Sequence, residues 1–330
     1  MRCAVVGAGA WGTALADLLA RNGHEVLLWA REVDVVEAVN TRHENTRFLS
    51  GAILAPSLRA TNDMVETVSG ASLVTYAAPS HVLRRVARES AGGVRPGATL
   101  AVATKGIERD TFHLMTDVVA GEVPGRSVVA LSGPSFAAEV AARQPTAVVA
   151  AAADPPAAAL VQRAYSSSEF RVYTHDDVTG VELGGALKNV MAVASGMVEG
   201  LGLGFNSRAA LITRGLAEMT RLGVALGAKP ATFAGLAGLG DLVLTCTGAL
   251  SRNRAVGFEI GQGRLLDDVL AGKDTVAEGV LNAESAQALA DREGVEMPIV
   301  SAVYRTLFAG RPAHEAIGEL MMRELRAEQD

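Results

Sequence analysis

One lysine stands among small and apolar residues in Gly184-Gly185-Ala186-Leu187-Lys188-Asn189-Val190-Met191. An ammonium buried in such company must find a partner or give up its proton more readily. A lysine of that kind suits general acid/base work; the alternative is one whose stem lies on apolar surface while its head reaches water. Asn189 beside it is a neutral hydrogen-bonder of a type suited to a substrate hydroxyl. Downstream, Gly235-Leu236-Ala237-Gly238-Leu239-Gly240-Asp241-Leu242 leads to Thr245 and then to Ser251-Arg252-Asn253-Arg254. From Leu242 to Phe258 there is no acidic residue but two arginines. Their planar forks match phosphate oxygens, so this segment reads as a local anion site. Asp241 belongs either to that site or to a plain helix cap.

A second set is glycine-based. Gly7-Ala8-Gly9-Ala10-Trp11-Gly12 fits GxGxxG directly after an apolar run of strand length and directly before a helical pattern. Gly7 permits the tight turn, Gly9 the approach of backbone to a pyrophosphate, and Gly12 close helix–strand packing. The pyrophosphate then lies on a helix N-terminus, where free N–H groups favour anions. The next strand ends in Ala30-Arg31-Glu32. A guanidinium there takes a 2′-phosphate and favours NADPH, while Glu32 can serve the ribose hydroxyls of NAD. NADP(H) is therefore expected as the preferred cofactor, with NAD(H) possible.

These groups need elements to hold them. Cys3–Val6, Val26–Trp29, Leu73–Ala77, Leu100–Thr104, Val128–Leu131 and Thr146–Ala150 are apolar runs of strand length, and Phe170–Tyr173 adds a last one. Helical stretches alternate with them at Trp11–Asn22, Val33–Thr41, Ser80–Ser90, Asp110–Val119 and Pro156–Ser166. That alternation predicts a parallel sheet covered on both faces. In such a sheet ligands gather at the carboxyl ends of the strands. Ala78-Pro79-Ser80-His81, Lys105-Gly106 and Ser132-Gly133-Pro134-Ser135-Phe136-Ala137 all fall there; His81 reads as structural and Lys105 as functional. After His175 helical patterns take over: Val181–Leu201, Ser207–Leu226, Ala255–Gly261, Asn282–Asp291, Ile299–Phe308 and Ala313–Glu328. The expected organisation is α/β then all-α, with one domain over 1–176 and a helical domain over 177–330.

Composition closes off other classes. The 330 residues are 49% hydrophobic and 20% charged, enough apolar material for two cores and far from a disordered chain. Thirty basic side chains against 36 acidic ones give a net charge of −6, which argues against nucleic-acid binding by phosphate neutralisation. Cys3 and Cys246 make no disulfide framework, and no Cys/His cluster suggests a metal. Mean hydropathy is +0.24, yet the most apolar helical stretch, Leu183 to Val198, carries Lys188 and Asn189 at its centre, which a lipid-exposed span avoids. With no secretory signal, a soluble cytoplasmic protein without membrane insertion is expected.

In order along nearly the whole chain, GAGAWGTALA, PSHV, ATKGIE, SGPSFAAEV, GVELGGALKNV, RAALITRGLAEM, GLAGLGDLVLTCTGALSRNR, VAEG and EMPI resemble the bacterial NAD(P)-dependent glycerol-3-phosphate dehydrogenase family. The resemblance implies an N-terminal Rossmann domain and a C-terminal helical domain. It implies reversible reduction of dihydroxyacetone phosphate to sn-glycerol 3-phosphate for phospholipid synthesis, in a homodimer. Lys188 then resembles the catalytic proton donor and acceptor, with Asp241 and Thr245 orienting it and the substrate. Lys105 helps hold the substrate and touches the cofactor; Gly133 and Ser135 line the substrate site. Ser251, Arg252 and Asn253 resemble the substrate-phosphate binders, Arg252 also lying near the cofactor. Trp11, Arg31, Ala137, Val276 and Glu278 resemble cofactor contacts. Ala10 departs from the serine common in relatives, which removes one hydroxyl near the pyrophosphate. Two rivals are weighed against this: a β-hydroxyacid or 2-ketoacid dehydrogenase of similar build, and a nicotinamide-binding sensor without turnover.

Overall fold

The computed structural model describes residues 1–272, 277–325 and 327–328. Its strands are β1 (Arg2–Val6), β2 (Glu25–Trp29), β3 (Arg59–Thr61), β4 (Leu73–Tyr76), β5 (Thr99–Val102), β6 (Ser127–Ser132), β7 (Thr146–Ala151) and β8 (Phe170–His175). They form one sheet in the order β3-β2-β1-β4-β5-β6-β7-β8. The connecting helices are α1 (Ala10–Arg21), α2 (Val33–Arg42), α3 (Met64–Val68), α4 (Ser80–Ser90), α5 (Met115–Glu122), α6 (Ala137–Ala141) and α7 (Pro155–Tyr165). Alternate residues of β1 feed separate cores. Cys3 and Val5 pack with Leu15, Leu28 and Val129 on one face; Ala4 and Val6 pack with Tyr76, Leu83 and Leu100 on the other. Coverage on both faces explains why these strands carry near-continuous apolar runs.

The sheet departs from the all-parallel expectation at one place. β6 and β7 are antiparallel, while β7 and β8 run parallel to each other. Between Ser132 and Thr146 the only helix is the five-residue α6, about 8 Å long at 1.5 Å per residue. A six-residue strand spans about 20 Å, so the chain turns back before it can cross over. One expected boundary shifts and one strand was unannounced. The helix expected from Asp110 begins at Met115, because Phe112 takes a left-handed φ of 58° and the Glu108 carboxylate binds Arg84 at 2.6 Å and the Thr111 hydroxyl. The strand β3 has no apolar run to announce it.

After β8 the chain is helical: α8 (Val178–Gly200), α9 (Phe205–Ala225), α10 (Pro230–Phe233), α11 (Asp241–Thr247), α12 (Arg252–Gly261), α13 (Leu266–Leu270), α14 (Glu278–Glu293), α15 (Pro298–Phe308) and α16 (Ala313–Met321). The last helix stops short of the expected Glu328; only Ala313 and Ala316 are buried along it, too little apolar face to carry it further. Internal contacts divide the chain into two compact units, Met1–Gly185 with Ala228–Asp241 and Ala186–Gly227 with Leu242–Asp330. Among the described residues one stretch, Pro230–Thr247, is long and apolar enough to cross a membrane. It consists of α10, a π-helical turn over Leu236–Gly240 and α11.

In the first unit, Glu182 of α8 ties that helix to the start of α5. Its buried carboxyl accepts the Thr116 amide at 2.9 Å and lies 2.5 Å from the Thr116 hydroxyl. Burial pushes its pKa up from 4.5 to about 7. The folded chain therefore keeps a proton that the unfolded chain loses above pH 4.5, so this contribution to stability is full at low pH and fades as pH rises through 7. Glu182→Gln, which keeps the acceptor and supplies permanent N–H donors, should stabilise the protein by about 3 kcal/mol at pH 8 and by less than about 1 kcal/mol at pH 5. Thermal unfolding at both pH values checks this; an equal shift at both would contradict it.

Candidate active site

In the first unit, the turn between β1 and α1 closes on itself through its glycines. Gly7 has φ +117°, and a Cβ there would lie 2.9 Å from the Ala77 carbonyl carbon and the Ala78 amide nitrogen. A Cβ on Gly12 would overlap the Gly7 carbonyl oxygen, whereas one on Gly9 would meet nothing within 4 Å. The turn is thus packed on its inner side and open at Gly9, at the N-terminus of α1, as a phosphate cradle requires. Trp11, in the first turn of α1, has a covered indole N–H with no hydrogen-bond partner among the described residues. These features fit a dinucleotide. At the end of β2, Arg31 and Glu32 bind each other: Nε and Nη2 donate to one carboxylate oxygen at 3.0 and 2.7 Å. The two side chains that favour opposite cofactors are therefore paired, and the Arg31 side chain stays 73% exposed.

Lys105, just past β5, donates to the Asp241 carboxylate at 2.6 Å and to the Gly133 carbonyl at 3.1 Å. Asp241 is fully buried. Gly133 follows β6 with φ +141°, and a Cβ there would press on Val148 at 2.9 Å, so only glycine turns its carbonyl toward the ammonium. Ser135 donates to the same carbonyl at 3.0 Å. Ala137 opens α6, and its methyl packs on the sheet core. A Cβ on Gly185 would meet the Ser132 hydroxyl at 2.7 Å and the Lys105 stem at 3.4 Å. This glycine lets α8 approach the lysine. Ser132, buried and without a hydrogen-bond partner among the described residues, was not singled out by sequence; its only signal is its place before Gly133.

In the second unit, α8 carries Lys188 and Asn189, exposed by only 7% and 5%. Lys188 Nζ donates to Thr245 Oγ1 on α11 at 2.8 Å. The lysine is therefore buried with a partner. Gly196 and Gly200 of α8 face Gly257 and Gly261 of α12; a Cβ on any of them would reach backbone of the opposite helix within 2.0–2.5 Å. This close seam brings the α12 N-terminus alongside Asn189, which accepts from Asn253 Nδ2 at 2.9 Å. Asn253 Oδ1 in turn accepts the Gly279 amide of α14 at 2.9 Å. Asn253 is thus held by two neighbouring helices.

The two arginines of the anion segment separate in role. Arg254 pairs with Glu199 and donates to the Gly248 carbonyl, which fixes it within the fold. Arg252 is exposed at the first residue of α12. Desolvation lowers its pKa and the Glu278 carboxylate raises it; the guanidinium stays charged. Ser251 caps α12 by accepting the Arg254 amide at 3.2 Å. Glu278 opens α14. Val276, expected as a cofactor contact, lies outside the described residues. Among the described residues no group of His, Cys, Asp and Glu is placed to hold a metal ion.

Comparison with known proteins bears on both units. The family model for the N-terminus of NAD-dependent glycerol-3-phosphate dehydrogenase matches residues 2–158, and that for its C-terminus matches residues 177–318. A glycerol-3-phosphate dehydrogenase [NAD(P)+] of Geobacter sulfurreducens is 56% identical over 330 residues, covering 99% of this chain and 98% of its own. The corresponding protein of Nitratidesulfovibrio vulgaris (Hildenborough) is 51% identical, with 99% and 100% covered. A crystal structure of glycerol-3-phosphate dehydrogenase from Coxiella burnetii superposes with a TM-score of 0.94 at 39% identity, covering 98% of this chain and 99% of that one. A ketopantoate reductase from Ralstonia eutropha shares the fold alone, with a TM-score of 0.62 at 18% identity. With both halves matched and relatives above half identity over its length, the chain belongs to the NAD-dependent glycerol-3-phosphate dehydrogenase family.

Proposed function

We propose that the chain catalyses the reversible NAD(P)H-dependent reduction of dihydroxyacetone phosphate to sn-glycerol 3-phosphate, in the cytoplasm, where it supplies glycerophospholipid synthesis. The observation that carries this reading is Lys188, buried at 2.8 Å from Thr245 in the unit that also presents Arg252 at the start of α12. When bound, the nicotinamide supplies the hydride. The dinucleotide's pyrophosphate would meet backbone at Gly9, in a turn that Gly7 and Gly12 allow to pack tightly, with Ala10 adding no hydroxyl; Trp11, Arg31, Ala137, Val276 and Glu278 would make further contacts. Lys188 gives its proton to the carbonyl oxygen as that oxygen becomes an alkoxide, and takes it back in the reverse direction. Thr245 holds the ammonium in place. Arg252, with Ser251 and Asn253 at the same helix start, binds the phosphate dianion. Asn189 takes a substrate hydroxyl. Lys105, aimed by Asp241 and the Gly133 carbonyl, adds positive charge to the substrate, which Ser135 also contacts.

A substrate panel tests this assignment against a ketoacid reductase of the same fold. NAD(P)H oxidation should be at least about 100-fold more efficient with dihydroxyacetone phosphate than with dihydroxyacetone or 2-ketopantoate, because the phosphate contacts are charge-assisted. Preference for 2-ketopantoate would overturn it. The cofactor arm tests Arg31. NADPH should be preferred over NADH, and Arg31→Gln should abolish that preference; a ratio unchanged in the variant would remove Arg31 from the role. The homodimer implied by the resemblance is checked by mass in solution.

A further inference from the structure

Behind the glycine turn, within the first unit, lies a polar cluster that contributes nothing to the sheet. His43 closes α2 in a left-handed conformation, φ 52°, and sends the chain back toward α1. Two residues later Asn45 is fully buried. Its amide group donates to the Ala8 carbonyl at 2.8 Å and to the Thr13 hydroxyl at 2.8 Å. The Thr13 hydroxyl donates to the same Ala8 carbonyl at 3.2 Å. Asn45 Oδ1 accepts the Phe48 amide at 3.0 Å, which leaves one way for the carboxamide to face. Each side-chain N–H and O–H of Asn45 and Thr13 has its acceptor, so the triangle with Ala8 is closed.

The Ala8 carbonyl and the Gly9 amide belong to one peptide plane, and no peptide bond among the described residues is cis. In a trans peptide the C=O and N–H point in opposite directions. Two donors that draw the Ala8 oxygen inward therefore turn the Gly9 N–H outward, at the one glycine of the turn left open by its neighbours. We propose that Asn45 and Thr13 are positioning residues that clamp the Ala8 carbonyl and thereby aim the Gly9 amide at the cofactor's pyrophosphate. This rests on the reading of the turn as an NAD(P)(H) cradle. A preset amide stabilises the bound anion without having to be reoriented during binding.

The test is cofactor affinity without turnover, read from nicotinamide fluorescence in the absence of substrate. Asn45→Asp keeps the size and the acceptor for Phe48 but sets an oxygen against the Ala8 carbonyl. It should raise Kd for NADH and NADPH together by about 30-fold, and Thr13→Val by about 5-fold, while Thr13→Ser stays within about 2-fold of wild type. The NADPH/NADH ratio should not move. Adenosine 2′-monophosphate, which offers Arg31 the 2′-phosphate but has no 5′-phosphate to lay on the glycine turn, should bind all four proteins alike. Folded variants with unchanged Kd would overturn the proposal, as would equal losses for NADPH and adenosine 2′-monophosphate. If Asn45→Asp does not fold, the Thr13 pair decides alone. Wild type that binds neither nicotinamide cofactor would instead overturn the cradle reading itself.

Discussion

Lys188→Ala should lower kcat for dihydroxyacetone phosphate by about 10⁴-fold while leaving NADPH affinity within about 2-fold of wild type. Positioned general acids contribute about 10²–10⁴-fold, and a cation beside a developing alkoxide adds a further electrostatic share in a site shielded from water. Lys188 fits both demands. It is buried, its ammonium is anchored on Thr245, and its helix is locked from Gly196 onward against α12. Lys188→Arg separates the two contributions, because a guanidinium keeps the charge but does not release its proton. That variant should recover only a small part of the lost rate. Stopped-flow with cofactor prebound checks both; near wild-type turnover in either would remove the proton from Lys188.

Arg252→Ala should raise the KM for dihydroxyacetone phosphate by about 10²-fold, with a smaller fall in kcat. Losing a charge-assisted hydrogen-bonding fork costs about 3 kcal/mol, and 1.4 kcal/mol corresponds to a factor of ten. Arg254, two residues on, is already committed to Glu199 and the Gly248 carbonyl, so it should not substitute. The slow reduction of unphosphorylated dihydroxyacetone should be nearly unchanged by the variant. Equal losses with both substrates would mean that Arg252 supports the fold or the cofactor rather than the phosphate.

What the sequence reveals divides by range. The glycine turn, the buried lysine and the arginine-bearing segment each announce themselves within a dozen residues, because local backbone freedom and local charge are what they need. Most strands show as apolar runs because both faces of the sheet are covered. The antiparallel β7 was not legible, since its direction follows from how short the α6 connection is. The Gly235–Gly240 run is glycine-rich and flexible in isolation but folds into a π-helical turn over Leu236–Gly240, because Ala237 is buried against Val181, Ala130 and Val149 of the first unit. The Asn45 clamp is further out of reach. It joins residues 37 apart, and nothing near Asn45 in the chain distinguishes it from an ordinary loop asparagine. The pairing of Arg31 with Glu32 shows the opposite case: adjacent residues visible at once, whose joint effect depends on a side-chain geometry that spacing does not contain.

The most direct test of the central assignment is product formation by the purified protein. Dihydroxyacetone phosphate and NADPH are incubated with it, nicotinamide absorbance is followed, and the phosphorylated product is identified by ³¹P NMR. One sn-glycerol 3-phosphate should form for each NADPH consumed. Protein that binds NADPH yet consumes none, or consumes it without forming that product, would contradict the account.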